Sequence, residues 1–271
     1  MIMASILDQT IDFLKKHHAS SITALHIEEV RVGLFLSAIR LSDGSSGMAS
    51  TVYEEQQSCD KDKRDFGDFS PNQIRGRSVL ELLETSRTRG VINTLRIAAL
   101  NAISSSLLQD ARYQMQEDTD PFDLLDLSEP RKVVLVGAFQ TYISRLADSP
   151  HSLQVLELNE QALQEKHRRF FVPATDYGQV LPQADAVAIT GFSLVNRTFD
   201  ELLGAVAPQA QVIVTGPSAS LLPDVLFENG VSHIGATRVT DPELLFRVVA
   251  EGGSGYHLFR YCARKICISK R

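Results

Sequence analysis

Two short stretches carry the residue types best suited to holding a polar ligand. Thr190-Gly191-Phe192-Ser193 leads on to Asn196 and Thr198, and Thr215-Gly216-Pro217-Ser218 repeats the opening pattern. Each follows an apolar run, at 186–189 and 211–214, that reads as a strand. Gly191 and Gly216 permit positive φ and close approach of a ligand, while the hydroxyls and the Asn196 amide supply neutral donors and acceptors at helix starts. That chemistry suits an anion, a carboxylate or a polar cofactor edge. Asn196 and Thr198 acting only as helix caps is the competing reading.

Two further places extend this rim. Gly137, followed by Phe139, ends the apolar run 132–136, and Glu157 lies at the end of the next predicted strand. Strand, glycine and a later carboxylate copy part of a dinucleotide-binding fingerprint. Phe139 and Tyr142 occupy the places of its second and third glycines, so the usual pyrophosphate approach is not expected. Glu157 is then a polar contact for a ligand, an acid or base, or a cap for the next turn. Thr237 and Arg238 follow the last predicted strand, 231–234, where the guanidinium can hold a carboxylate or phosphate or pair with Asp241.

Metal and nucleophile patterns are sparse. The three cysteines, Cys59, Cys262 and Cys267, make neither a disulfide framework nor zinc-ribbon spacing, and His257 does not complete a four-ligand set. No serine triad, H-E-x-x-H or P-loop pattern is present. The paired His17 and His18 read as a solvated helix end.

The elements that must position these residues follow from periodicity. A helix over the first residues places Met3, Leu7, Ile11 and Leu14 on one face. Strand-like alternation from Val30 to Ile39, a Gly/Ser turn at 42–47 and a returning strand from Met48 predict an antiparallel meander. Polar residues 54–77 read as a long surface loop, a lid or a disordered segment, and an Ala-rich helix with Val91, Leu95, Ala98 and Ala102 on one stripe follows. Asn101 in that helix reaches either a cleft or a neighbouring loop. Asp120-Pro121 and Glu129-Pro130 mark a boundary near Leu127. Beyond it, predicted strands at 132–136, 153–158, 171–173, 186–190, 211–215 and 231–234 mostly alternate with helical patterns. The expectation is an α/β protein: a doubly wound, mostly parallel sheet in residues 128–271 behind a smaller α+β domain in 1–127. Residues 251–256 read as a flexible exit from the last helix.

Composition narrows the partners. The chain has 271 residues, 44% of them hydrophobic, and a formal charge of −6, with no long basic block. No nucleic acid is therefore expected, and His167-Arg168-Arg169 reads as a solvated helix end. No apolar stretch is long enough to span a membrane, and no cleavable leader is recognised, which with the unpaired cysteines suggests a cytoplasmic protein. Self-association into a homo-oligomer stays open.

Taken together, residues 189–198, 214–218 and 235–242 resemble the putative heavy-metal chelation family, and 32–51 resemble the small domain of the same family. The resemblance implies a Rossmann-like C-terminal domain preceded by a smaller domain similar to the enolase N-terminal domain. It also implies a site in the cleft between them, with a role in handling heavy metals. Members of that family carry a small polar residue where this chain has Phe192. The expected function is binding of a small polar or anionic ligand, a heavy metal or metal chelate among them. A transferase or lyase acting on a nucleotide-like or amino-acid-like substrate, and a non-catalytic metallochaperone, are the alternatives.

Overall fold

The structure, a computed structural model, describes residues 4–52, 67–87, 90–108 and 112–270. In chain order the first elements are α1 (Ile6–His17), α2 (Ala19–Thr23), β1 (Ile27–Val32), β2 (Leu36–Leu41), β3 (Ser46–Ser50), α3 (Val79–Glu84), α4 (Gly90–Leu107) and β4 (Tyr113–Glu117). Then come β5 (Lys132–Val136), α5 (Gln140–Leu146), β6 (Ser152–Glu157), β7 (Phe171–Pro173), α6 (Tyr177–Val180), β8 (Ala186–Thr190) and α7 (Phe192–Val195). The chain continues through α8 (Phe199–Ala205), β9 (Gln211–Thr215), α9 (Pro223–Glu228), β10 (His233–Val239), α10 (Pro242–Ala250), α11 (Gly255–Tyr261) and β11 (Ala263–Lys270).

Alternating side chains on β5 show why the large sheet needs cover on both faces. Val133 and Leu135 join one buried cluster with Phe122, Tyr142 and Ile143, whereas Val134 and Val136 join the other with residues of α1, α4, α8 and α9. The sheet has eight strands in the order β4-β11-β10-β9-β8-β5-β6-β7. From β10 to β7 neighbouring strands run parallel, while β11 is antiparallel to both β10 and β4. Read from β7, the parallel strands run third, second, first, fourth, fifth and sixth in chain order, so the order reverses between β5 and β8. Ligands of doubly wound sheets sit beyond the carboxyl ends at such a reversal.

The small sheet, β1-β2-β3, is antiparallel. Ile39, Leu41 and Ala49 belong to the larger buried cluster, while Leu36, Ala38 and Met48 pack with Leu245, Phe246 and Val249 of α10. Both faces are therefore buried. Helix α4, whose residues 92–104 are all buried, lies against β3 so closely that a Cβ at Gly47 would stand 2.3 Å from both the Ala98 oxygen and the Ala102 nitrogen. Glycine is required there by approach, not by conformation.

Several expectations need correction. The single strand expected over 30–39 is two, because Gly33, Leu34 and Phe35 turn the chain and the Gly33 N–H bonds the Leu36 carbonyl at 3.0 Å. The stretch from Ile22 begins in α2, and β1 starts only at Ile27. Residues 251–256 are no loose exit: Ser254 caps α11, and the chain returns as β11 inside the sheet. Gly235, Ala236, Thr237 and Arg238 lie within β10, since that strand runs to Val239. Of the expected loop at 54–77, residues 54–66 lie outside the described residues, as do Met3 and Cys59. The rest is tied to β1, with the Ile27 N–H on the Arg77 carbonyl and the Gly76 N–H on the Ile27 carbonyl.

Candidate ligand site at the carboxyl edge of the large sheet

Gly137 ends β5 with φ 110, a conformation that favours glycine, and its N–H bonds the Leu156 carbonyl at 2.9 Å. The Glu157 carboxylate, at the end of neighbouring β6, accepts the Ala138 N–H at 3.0 Å and its own neighbour Leu158 N–H at 2.7 Å. The two residues paired by sequence thus meet, and Glu157 braces the turn after β5. Thr190 stands on the other side of Gly137, its Cβ 3.2 Å from where a Gly137 Cβ would be.

The two Thr-Gly turns serve mainly as a buried seam. Gly191 has φ −59, so it does not use the positive φ that glycine permits. Its role is close approach, since a Cβ there would lie 2.9 Å from the Ala219 nitrogen. The Ser193 hydroxyl donates to the Thr190 carbonyl at 2.6 Å and is buried. Asn196 Oδ1 accepts from the Thr198 N–H at 3.2 Å and its hydroxyl at 2.8 Å, closing a local turn. Ser218 is fully buried, and its Oγ takes the Ser50 N–H at 2.9 Å and lies 3.3 Å from the Ser50 hydroxyl. Asn101 Nδ2 of α4 reaches the Met48 carbonyl at 2.7 Å and the Pro217 carbonyl at 3.3 Å, and Asn93 Nδ2 the Val195 carbonyl at 2.6 Å. These bonds bind the small sheet and α4 to the turns after β8 and β9.

Thr237 is buried, with its N–H on the Ser220 hydroxyl at 2.9 Å. Arg238 pairs with Glu117 of β4, whose other oxygen lies 3.7 Å from Arg264. Asp241, the alternative partner read from sequence, instead caps α10 through the Leu244 N–H at 2.9 Å. Arg238 is drawn to the β4 edge because β10 continues as a strand and aligns it with Arg264 of β11.

A cavity of about 290 Å³ opens beside this edge. Phe139, Gln140, Thr141 and Tyr142 line it at the start of α5, Thr215 and Gly216 at the end of β9, and Gly235 and Ala236 on β10. Thr119, Asp120 and Pro121 close one side, and Phe259, Lys265 and Ile266 another. Gly216 has φ 123 and Gly235 has no room for a Cβ, which would lie 2.2 Å from Thr215 Oγ1. Of the residues singled out from sequence, Phe139 and Gly216 line this cavity, whereas Gly137, Glu157, Gly191, Ser193, Pro217 and Ser218 do not; Phe192 is not among its lining residues either.

Its polar lining is Thr119, Asp120, Gln140, Thr141, Tyr142, Thr215 and Lys265, of which Asp120, Tyr142 and Lys265 are linked to one another. The Tyr142 phenol donates to Asp120 Oδ1, which also accepts the Phe122 N–H at 3.1 Å, and Lys265 Nζ stands 3.3 Å from Oδ2. Burial foremost, and then the Asp120 carboxylate, hold the Tyr142 phenol's pKa well above the usual range, with the Thr215 hydroxyl acting in the opposite sense. Tyr142 thus stays a donor and fixes the carboxylate. Its ring stacks between Phe122 and Phe139 at centroid distances of 4.4 and 5.1 Å. Sequence reasoning saw Asp120 only as a break and Tyr142 only as a missing glycine, and it had no signal for Lys265.

With this geometry in view, the comparisons with known proteins assign the family. Two family models, DUF364 and DUF4213, each described as putative heavy-metal chelation, match residues 120–268 and 16–104. The chain belongs to this family. It resembles a solved DUF364-family protein of unknown function from Pyrococcus horikoshii, at TM-score 0.76 and 22% identity, covering 97% of this chain and 98% of that one. Another of unknown function, from Desulfitobacterium hafniense, gives TM-score 0.74 and 23% identity with 98% of each chain covered. An uncharacterised protein from Methanocaldococcus jannaschii is 28% identical over 156 residues, and the match spans 56% of that relative's length.

The donor set tests the metal in the family's description. Among the described residues no three His, Cys, Asp or Glu side chains are grouped to hold a metal ion. Cys262 and Cys267 are buried, and burial pushes both thiols up to about 11, with Asp241 adding to the effect at Cys262. At neutral pH they are thiols, not the thiolates that bind soft metals. The described residues do not fit a metal held by protein ligands alone. No described helix is long and apolar enough to cross a membrane.

Proposed function

We propose that this protein binds a small polar or anionic ligand at the carboxyl edge of its large sheet, beside the seam with the small sheet. A heavy metal, in this reading, arrives within a complex whose organic part supplies the donors. The large sheet acts as a Rossmann-like unit and the small antiparallel part as an enolase N-terminal-like unit backing the edge. What carries the reading is one observation: the cavity between the start of α5 and the carboxyl end of β9 gathers Asp120 from the segment after β4, Tyr142 from α5, Thr215 from β9 and Lys265 from β11. Glu157, the candidate acid or base of an enzymatic alternative, has both oxygens on backbone N–H groups, so binding is favoured over catalysis by that residue.

Thr141 is exposed and lines the mouth, so Thr141→Trp fills the entrance without touching the core. Thermal-shift screening of amino acids, sugar phosphates, nucleotides and metal chelates against the wild type and this variant is the test. Compounds that raise the melting temperature of the wild type alone support the cavity as the site. Shifts equal in both proteins, or none at all, refute it.

A further inference from the structure

The cavity's charges restrict the ligand further, in a way that rests on the binding reading above. Asp120 and Lys265 are the charged side chains in its lining, one of each sign, and they face each other at 3.3 Å. A ligand carrying only negative charge would meet Lys265 but also the Asp120 carboxylate, and one carrying only positive charge would meet the reverse. Either would leave one member of the pair facing a like charge, which costs affinity. A ligand bearing both charges replaces the pair without orphaning either member.

The pair is built for such an exchange. Asp120 Oδ1 is held by the Tyr142 phenol and the Phe122 N–H, so its position does not depend on Lys265, and Oδ2 faces the lysine. The Lys265 side chain is half exposed, at 51%, while that of Asp120 is 22% exposed, so the lysine can turn toward solvent when a ligand enters and the ligand's ammonium takes its place against the carboxylate. Phe139, Phe259 and Pro121 add apolar wall to the same space. A volume of about 290 Å³ lies at the lower end of small-molecule pockets.

We infer that the Asp120–Lys265 cavity binds a zwitterionic α-amino acid with an apolar side chain, its ammonium on Asp120 and its carboxylate on Lys265. The side chain lies along Phe139 and Phe259. Calorimetric titration of the full chain compares L-leucine, L-methionine and L-phenylalanine with two leucine fragments. 4-Methylpentanoate lacks the ammonium, and 3-methylbutylamine lacks the carboxylate. At least one amino acid should bind saturably, with the fragments about ten-fold or more weaker, the effect of losing one charged hydrogen bond. Lys265→Met should weaken the amino acid by a similar factor. Asp120→Asn should weaken it too yet tighten 4-methylpentanoate, opposite signs that a damaged fold cannot produce. 4-Methylpentanoate binding as tightly as leucine would overturn the inference while leaving the ligand site intact. No saturable amino-acid binding at about 10 mM, far above a millimolar Kd scale, would also overturn it. The separate Thr141→Trp screen then decides whether the site itself survives.

Discussion

Asn101 offers the sharpest test of how the small sheet is joined to the ligand edge. It is buried, and its Nδ2 serves both the Met48 carbonyl at 2.7 Å and the Pro217 carbonyl at 3.3 Å, while its Oδ1 has no partner among the described residues. Asn101→Ala removes a short buried bond, about 1 kcal/mol net, and leaves the Met48 carbonyl less well satisfied, about 1–2 kcal/mol more. Deleting the unpartnered Oδ1 returns part of this, so the expected loss is about 2 kcal/mol. Asn101→Asp preserves shape but points an acceptor at two acceptors. A buried carboxyl there gains a donor only when protonated, so its folded-state pKa must rise above the unfolded value near 3.9. The variant's stability should accordingly be best at low pH and fall as pH rises through that folded-state value. Urea unfolding followed by circular dichroism at about pH 5 and pH 8 reads both effects. The reasoning fails if Asn101→Ala lies within about 0.5 kcal/mol of wild type. It also fails if Asn101→Asp, referred to wild type at each pH, loses the same stability at both.

Three further outcomes are expected. Gly47→Ala must push β3 from α4, because its Cβ would sit 2.3 Å from two backbone atoms, and a loss of about 3 kcal/mol or more in urea is expected where overpacking commonly costs 1–3. The Tyr142 phenol's raised pKa favours its protonated form in the folded state, so its contribution is complete below the ordinary tyrosine value of 10.0 and is lost as pH rises above it. Tyr142→Phe should lower the melting temperature at neutral pH and flatten its decline in alkaline buffer, as seen by calorimetry. Cys262 and Cys267, buried with thiols pushed up to about 11, should resist iodoacetamide at pH 8 in the native protein and react on unfolding. Peptide mapping checks this, and rapid native labelling of either would contradict it.

The sequence made the parallel strands visible because they are short apolar runs buried on both faces, as in Lys132–Val136 and Ala186–Thr190. It also linked Gly137 with Glu157, since one strand and its neighbour in the sheet bring those residues together. What escaped notice was polar or distant. Tyr113–Glu117 and Ala263–Lys270 carry Gln, Glu, Arg and Lys between their apolar residues, so neither reads as part of a large sheet, yet they pair with each other. Their pairing carries Lys265 to Asp120, a contact across 145 positions that no local spacing reveals. The turns at Gly191 and Ser218 were legible as special but not as a seam, because their partners, Asn93, Asn101 and Ser50, lie in the small sheet and α4.

The placement of β11 sets a problem of timing for a growing chain. β11 lies between β10 and β4, later in sequence than either. During synthesis β4 therefore emerges long before the strand it must pair with, and until β11 arrives both β4 and β10 present open hydrogen-bonding edges. Such edges attract other strands. A chain cut or stalled before Ala263 would keep both edges exposed and leave the cavity without Lys265. Loss of this strand would therefore couple aggregation to loss of the ligand site, whereas a substitution confined to the cavity wall would separate them.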